Sequence, residues 1–195
     1  MGKIFCLMGK SSSGKDTIFN HLKEDKDLNL KPIIGYTTRP KRDYEIEGLA
    51  YHFITEQELK QFELEHKVIE QRVYHTVNGP WYYATINDGN IDLTKNNYIL
   101  IVTLEAYISL VQYYGKENSI PFYIEVEDAV RLERALEREK EQHNPNYEEM
   151  CRRFIADNND FSKEKLQANG IYKAYPNVDL KTCIANIKNE IEKYL

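Results

Sequence analysis

The chain has 195 residues and a formal net charge of −5, from 26 Lys and Arg against 31 Asp and Glu. At that length folding buries roughly 70% of the surface that the unfolded chain exposes, so a single compact domain needs neither a disulfide nor a metal staple. Hydrophobic residues at 42%, with 9 Gly and 6 Pro, exclude collagen-like, low-complexity and largely disordered classes, and the mild acidity excludes broad wrapping of nucleic acid.

The first element is the apolar run Ile4 to Met8, which lacks the polar alternation of a half-exposed strand and reads as a buried parallel strand. It is too short for the core of a signal peptide, and nothing further along approaches the ~18 apolar residues of a membrane span, so a cytoplasmic protein without membrane contact is expected. Directly after it comes Gly9-Lys10-Ser11-Ser12-Ser13-Gly14-Lys15-Asp16-Thr17, running into a helix that carries Ile18, Phe19 and Leu22. This is G-x-x-x-x-G-K in a strand–loop–helix setting. Glycines let backbone N–H groups curl around phosphate oxygens, the helix start contributes a positive dipole end, and Lys15 bridges the terminal phosphates. The usual Ser or Thr after the lysine, whose hydroxyl binds Mg²⁺, is here Asp16, with Thr17 one place later; either is a candidate metal ligand.

Residues 35–90 read as a small mixed subdomain inserted into the α/β core. Tyr51 to Ile54 and Val68 to Val77 are short strands around a helix that Thr55 and Glu58 open as a capping box, and Asn78-Gly79-Pro80 supplies a turn. A basic cluster of Lys31, Arg39, Lys41 and Arg42 stands out against the acidic background. Arg39 and Arg42 can grip a phosphate bidentately, and Tyr51 adds a hydroxyl.

Further on, Tyr98 to Leu104 and Pro121 to Val126 read as buried strands, and Val130 to Leu136 as a helix. The run Glu137 to Glu149, dense in charge and broken by Asn144-Pro145-Asn146, suits a solvated, mobile segment. Leu180, Ile184, Ile187 and Ile191 then form an i, i+4, i+7, i+11 stripe. Strands alternating with helices imply βαβ units and a layered α/β sheet. Cys6, Cys151 and Cys183 lie outside any C-x-x-C pattern and the five histidines lack metal-ligand spacing, which points to reduced thiols and no structural zinc.

Thr37-Thr38-Arg39-Pro40-Lys41-Arg42, followed by Glu45, Gly48 and Tyr51-His52-Phe53, resembles the guanylate kinase family, whose P-loop is followed by T-T-R-x-x-R, a G-E element and a Y-x-F strand. The resemblance covers about residues 3 to 155. It implies a three-layer P-loop kinase fold over residues 1–195, with a parallel core sheet, an acceptor-binding subdomain at 35–90 and a helical lid at 134–153. It also implies transfer of the γ-phosphoryl of ATP to GMP or dGMP with Mg²⁺, ATP lying on Gly9 to Thr17. Arg39, Arg42, Tyr51 and Tyr83 would then contact the GMP phosphate, while Glu70 and Thr85 would contact guanine. A carboxylate facing two adjacent donors rejects adenine, which presents an acceptor at N1 and lacks the 2-amino group. Arg134, Arg138 and Arg153 fall in the stretch resembling the arginine-bearing lid, where they would join Lys15, Arg39 and Arg42 in neutralising the transferring group.

The chain departs from the family at several of these positions. Gly35 stands where a guanine-contacting serine is usual, Ala84 replaces the glycine of Y-Y-G-[ST], and Thr103-Leu104-Glu105 occupies the place of a D-x-D pair, leaving Glu105 for a metal or acceptor-base contact. The gap from Glu70 to Tyr82 is about four residues longer than the family's, an even insertion that preserves facing in a hairpin. Near the C-terminus, Tyr172 to Pro176 does not align with the family's asparagine–aspartate pair. Two rival readings follow from these departures: a P-loop kinase for another monophosphate, and a catalytically silent guanylate-kinase-like binding module. The oligomeric state is not legible.

Overall fold

The computed structural model describes residues 1–42, 45–49, 51–76 and 79–195. Val77 and Asn78, expected as the end of a strand and the start of a turn, lie outside the described residues. The first half of the chain contains β1 (Ile4–Met8), α1 (Lys15–Glu24), β2 (Leu30–Pro32), β3 (Tyr36–Thr37), β4 (His52–Phe53), α2 (Glu56–Leu64), β5 (Val68–Thr76) and β6 (Gly79–Ile86). The second half contains β7 (Asn97–Ile101), α3 (Leu104–Tyr114), β8 (Ser119–Glu125), α4 (Asp128–Lys140), α5 (Tyr147–Asp160), α6 (Lys163–Ala168), β9 (Ala174–Pro176) and α7 (Leu180–Ile191).

Five strands form an all-parallel sheet in the order β2-β7-β1-β8-β9, with β1 at its centre. Side chains alternate across a strand, so Ile4, Cys6 and Met8 pack on one face with Leu104, Tyr107 and Leu110 of α3. Phe5 and Leu7 pack on the other with Ile18 and Leu22 of α1 and Cys183, Ile187 and Ile191 of α7. Both faces are covered, which is why β1 is apolar at every position rather than at alternate ones. The layered α/β architecture read from the sequence is present, and the stripe from Leu180 is α7.

Residues between β2 and β7 build the second sheet, in the order β4-β3-β6-β5, which is mixed rather than parallel. Its own small core is Tyr36, Leu59, Ala84 and Ile86. The Thr55 side chain accepts from Glu58 N–H while the Glu58 carboxylate accepts from Thr55 N–H, the expected capping box of α2. Along the β5–β6 hairpin, Glu70 pairs with Thr85, Arg72 with Tyr83 and Tyr74 with Trp81, after a register shift between Val68 and Glu70. That irregularity sets the face on which the polar pairs stand.

Two expectations are corrected. The strand starting near Tyr98 ends at Ile101, because Thr103 Oγ1 accepts from Ala106 N–H and so caps α3. Gly79 and Pro80 belong to β6, with Gly79 paired to Thr76, rather than to a turn. The charged run 137–149 is largely exposed and breaks between helices as its Asn144-Pro145-Asn146 suggested: its start closes α4, and Asn146 caps α5 by accepting from Glu149 N–H. Edge strands β2 and β9 were not anticipated, since three residues carry too little pattern to read.

Ile187 is fully buried where α7 meets β1. Ile187→Ala should cost about 3 kcal/mol through lost transfer energy and a residual cavity, read as a lowered midpoint in urea unfolding.

Candidate active site

The glycine-rich loop leaves the carboxyl end of central strand β1 and enters α1 through Gly14, whose φ of 82° suits glycine and few other residues. A Cβ on Gly9 would meet the Ile124 carbonyl oxygen at 2.6 Å, so the loop lies close against β8. Three consecutive carbonyls of the loop are fastened by side chains from distant elements. Arg131 Nη1 donates to Ser11 O at 3.2 Å, Arg134 Nη1 reaches Ser12 O at 3.4 Å, and Asn177 Nδ2 donates to Ser13 O at 2.8 Å. In a trans peptide the following N–H points opposite to the carbonyl. The holds on Ser11 O and Ser13 O therefore turn the Ser12 and Gly14 amides away from those anchors.

α1 has no side-chain cap, and the amides of Lys15, Asp16 and Thr17 take no partner among the described residues. Lys15 makes no ion pair among those residues either, and Asp16 and Thr17 are exposed in the same first turn. Buried hydroxyls of Ser12 and Ser13 also lack partners. Unpaired donors around a helix start with a free lysine make an anion cradle. Lys10 and Ser11, expected as contacts to the phosphoryl donor, are engaged by α5 instead. Lys10 Nζ donates to Asn158 Oδ1 at 2.6 Å, and Ser11 N–H donates to Asp157 Oδ2 at 2.6 Å.

Arg131 is the principal residue the sequence reading missed on this side. Its side chain is 1% exposed. Its guanidinium donates to Asp128 and Asn158 as well as to Ser11 O, and lies over the Phe154 ring at 4.6 Å. A buried guanidinium persists only when its donors are met, and here they bind α4, α5 and the loop into one unit. A small cavity beside it is lined by Ser11, Arg138, Glu149, Arg153 and Phe154. Of the three expected lid arginines, Arg134 touches the loop, Arg138 has no ion-pair partner among the described residues, and Arg153 donates to Glu149 Oε1 at 2.8 Å. Asn177 was missed because Tyr172 to Pro176 stops one residue short of it.

The second sheet gathers the expected acceptor residues. Arg39 is 5% exposed and its fork is taken by Glu45, with Nη1 to Oε2 at 2.8 Å and Nη2 to Oε1 at 2.6 Å. Its Nε donates to Tyr83 Oη at 3.2 Å, and the rings of Tyr51 and Phe53 flank the guanidinium. Glu45 also accepts from Arg42 N–H at 2.8 Å, joining both arginines of the basic cluster. The Arg39 guanidinium holds the Glu45 carboxyl down to about 2, and the same hydrogen bonds raise Arg39. Burial raises the Tyr51 phenol, which stays a neutral O–H donor at neutral pH. With most of its donors engaged, Arg39 offers charge and one free N–H rather than an open fork.

At the other end of the sheet, Glu70 is 8% exposed and accepts from Thr85 Oγ1 at 2.8 Å and from Arg72 Nε at 3.1 Å. Arg72 carried no signal in the sequence reading. Gly35 lies near Tyr51, with room for a Cβ at ordinary contact distance from its ring. Glu105 is exposed in the first turn of α3, and its carboxylate takes no hydrogen-bond partner among the described residues, although its carbonyl accepts from Ser109 Oγ.

A parallel sheet with this cradle at its central strand, and a mixed sheet inserted beside it, defines an α/β protein of the P-loop kinase class. Residues 1–185 match the guanylate kinase family, and the chain belongs to that family. It is 35% identical over 121 residues to a guanylate kinase of Mycoplasma mobile, covering 61% of this chain and 58% of that one. A guanylate kinase of Porphyromonas gingivalis is 25% identical over 197 residues, covering 100% and 99% of the two chains. The chain spans only 58% and 56% of the Mycoplasma mobile and Mycoplasmoides gallisepticum relatives it matches. The fold is similar to the crystal structure of guanylate kinase from Anaplasma phagocytophilum, with a TM-score of 0.66 at 17% identity, covering 98% of this chain and 85% of that one.

Asn177→Ala should orphan Ser13 O and free the Gly14 amide to rotate, raising the Kd for ATP about tenfold, or ~1.4 kcal/mol, measured by calorimetry. Glu45 has a folded pKa below its ordinary value of 4.5, so the folded state holds fewer protons and the Arg39 pair stabilises it above that value. The excess melting temperature of the natural chain over Glu45→Gln should therefore shrink as pH falls from 4.5 to about 2.

Proposed function

We propose that the chain is a nucleoside-monophosphate kinase that transfers the γ-phosphoryl of ATP to GMP or dGMP, giving ADP and the diphosphate. The observation that carries this reading is Glu70: a buried carboxylate, bonded to Thr85, set in a sheet separate from the cradle. A carboxylate accepts hydrogen bonds, and guanine offers N1–H and a 2-amino group side by side where adenine offers an acceptor. Along the same hairpin, Tyr83 and its neighbours Arg39 and Tyr51 supply donors and charge for the acceptor's phosphate, with Arg42 beside them.

In the reaction an acceptor phosphate oxygen bonds to the γ-phosphorus while the bond to the bridging oxygen of the leaving diphosphate breaks. The acceptor is already ionised, so no general base is needed. The uncapped start of α1 and Lys15 hold the donor phosphates, while Arg134, Arg138 and Arg153 of the lid neutralise charge on the transferring group and exclude water. Asp16 and Thr17, in the first turn of α1, would hold magnesium, which would supply positive charge against the donor phosphates. The first turn of α1 fits such an ion: Asp16 and Thr17 are exposed oxygen ligands beside the cradle, and no cluster of three acidic, His or Cys residues stands among the described residues. Mg²⁺ usually takes one or two carboxylates with the phosphates rather than a full protein cage. Among the described residues no helix is long and apolar enough to cross a membrane; both nucleotides belong to the cytoplasmic pool, where this reading sets the protein.

The test is ADP formation from ATP·Mg²⁺ with GMP, dGMP, AMP, CMP and UMP supplied separately. Turnover confined to GMP and dGMP is expected, falling at least ~100-fold in Lys15→Ala. Turnover with a different monophosphate would discard the guanine reading and keep the cradle. Silence with every acceptor, in a protein whose melting temperature ATP still raises, would make it a binding module.

A further inference from the structure

Resting on the guanine reading of Glu70, we infer that Arg72 is an internal stand-in for the purine edge, which the acceptor must displace. Arg72 stands two residues beyond Glu70 on β5, hence on the same face. Its Nε donates to Glu70 Oε2 at 3.1 Å and its Nη2 lies 3.5 Å from Oε1, so it meets the carboxylate edge-on with two neighbouring N–H groups. Guanine presents N1–H and a 2-amino N–H in the same side-by-side arrangement. The guanidinium and the base are therefore alternative partners for one carboxylate.

An ionised carboxylate has about four acceptor directions. Thr85 and the two Arg72 nitrogens already claim three, and guanine requires two, so the base cannot be added while Arg72 stays in place. Arg72 also gives the Glu70 carboxylate, with a side chain only 5% exposed, a partner of opposite charge. Arg72 itself is 28% exposed and is free to swing outward, which a structural core arginine such as Arg131, at 1%, is not.

Binding thus becomes an exchange. A base with two adjacent donors replaces what Glu70 loses, bond for bond, whereas hypoxanthine in IMP offers N1–H alone and leaves one oxygen uncompensated. Arg72 turns a preference for donors into a requirement for two of them. It also lowers the apparent affinity for GMP by the fraction of time the site is open.

Calorimetric Kd values for GMP, IMP and AMP would be measured on the full chain and on Arg72→Met and Arg72→Lys. In Arg72→Met the Kd for GMP should fall about tenfold, as for a site otherwise open about a tenth of the time. The Kd for IMP should fall further, shrinking the preference for GMP over IMP, while AMP stays weak. Arg72→Lys should behave like Arg72→Met, because an ammonium has no fork; it also serves if the methionine variant fails to fold. A Kd for GMP that is unchanged or higher in both variants would overturn the inference, as would a lysine that restores full exclusion of IMP. If the natural chain binds AMP as well as GMP, or neither, the guanine reading falls and the inference with it. If it binds GMP selectively and neither variant tightens, the inference alone falls.

Discussion

The outward fastening of three carbonyls in the glycine-rich loop is the constraint on which the donor half of the molecule depends. A trans peptide cannot turn its carbonyl one way without turning the next amide the other. Side chains that grip Ser11 O and Ser13 O therefore preset the direction of the Ser12 and Gly14 amides. The three anchors come from two places far along the chain: Arg131 and Arg134 on α4, and Asn177 just after β9. Because Asn177 N–H in turn donates to Glu125 O at the end of β8, the loop is tied to the sheet edge as well as to the helices. For the proposed phosphoryl transfer this would be preorganisation, since there a protein contributes position and charge rather than covalent chemistry.

The acceptor half solves a different problem, how to keep charged groups in a half-buried sheet. Arg39 and Glu45 meet through a bidentate pair, and Glu70 meets both Arg72 and Thr85. Each charge has a protein partner, so neither end of the site carries an unpaired buried ion. Glu70, Arg72, Thr85 and Tyr83 lie on one hairpin, where the pairing of Glu70 with Thr85 and Arg72 with Tyr83 sets their spacing, and Tyr83 accepts from Arg39 of the other cluster. A one-residue slip would send every one of these side chains to the opposite face.

Much of this was legible in the sequence because its causes are local. The G-x-x-x-x-G-K spacing, the Thr55–Glu58 capping box, the unbroken apolarity of Ile4 to Met8 and the α7 stripe each follow from contacts within a few residues or from one burial pattern. The pairing of Glu70 with Thr85 was within reach because an even insertion keeps facing in a hairpin. Boundaries were less legible where a cap competed with a strand, as at Thr103, or where a charged run was really two helix ends joined at Asn146.

What the sequence by itself determined is the inventory: a glycine-rich loop with Lys15 between a strand and a helix, a basic segment around Arg39 and Arg42, and the carboxylate of Glu70. Tertiary structure alone decided how each group is used. It sets the Arg39 fork on Glu45 and Arg72 against Glu70, bonds Lys10 to Asn158 of α5, and brings Asn177 to Ser13 across 164 residues. The physical reason is that a hydrogen-bond partner is chosen by which elements the packed core brings within about 3 Å. Neither the spacing of residues nor their chemistry singles out one buried arginine or asparagine among the many that the chain carries.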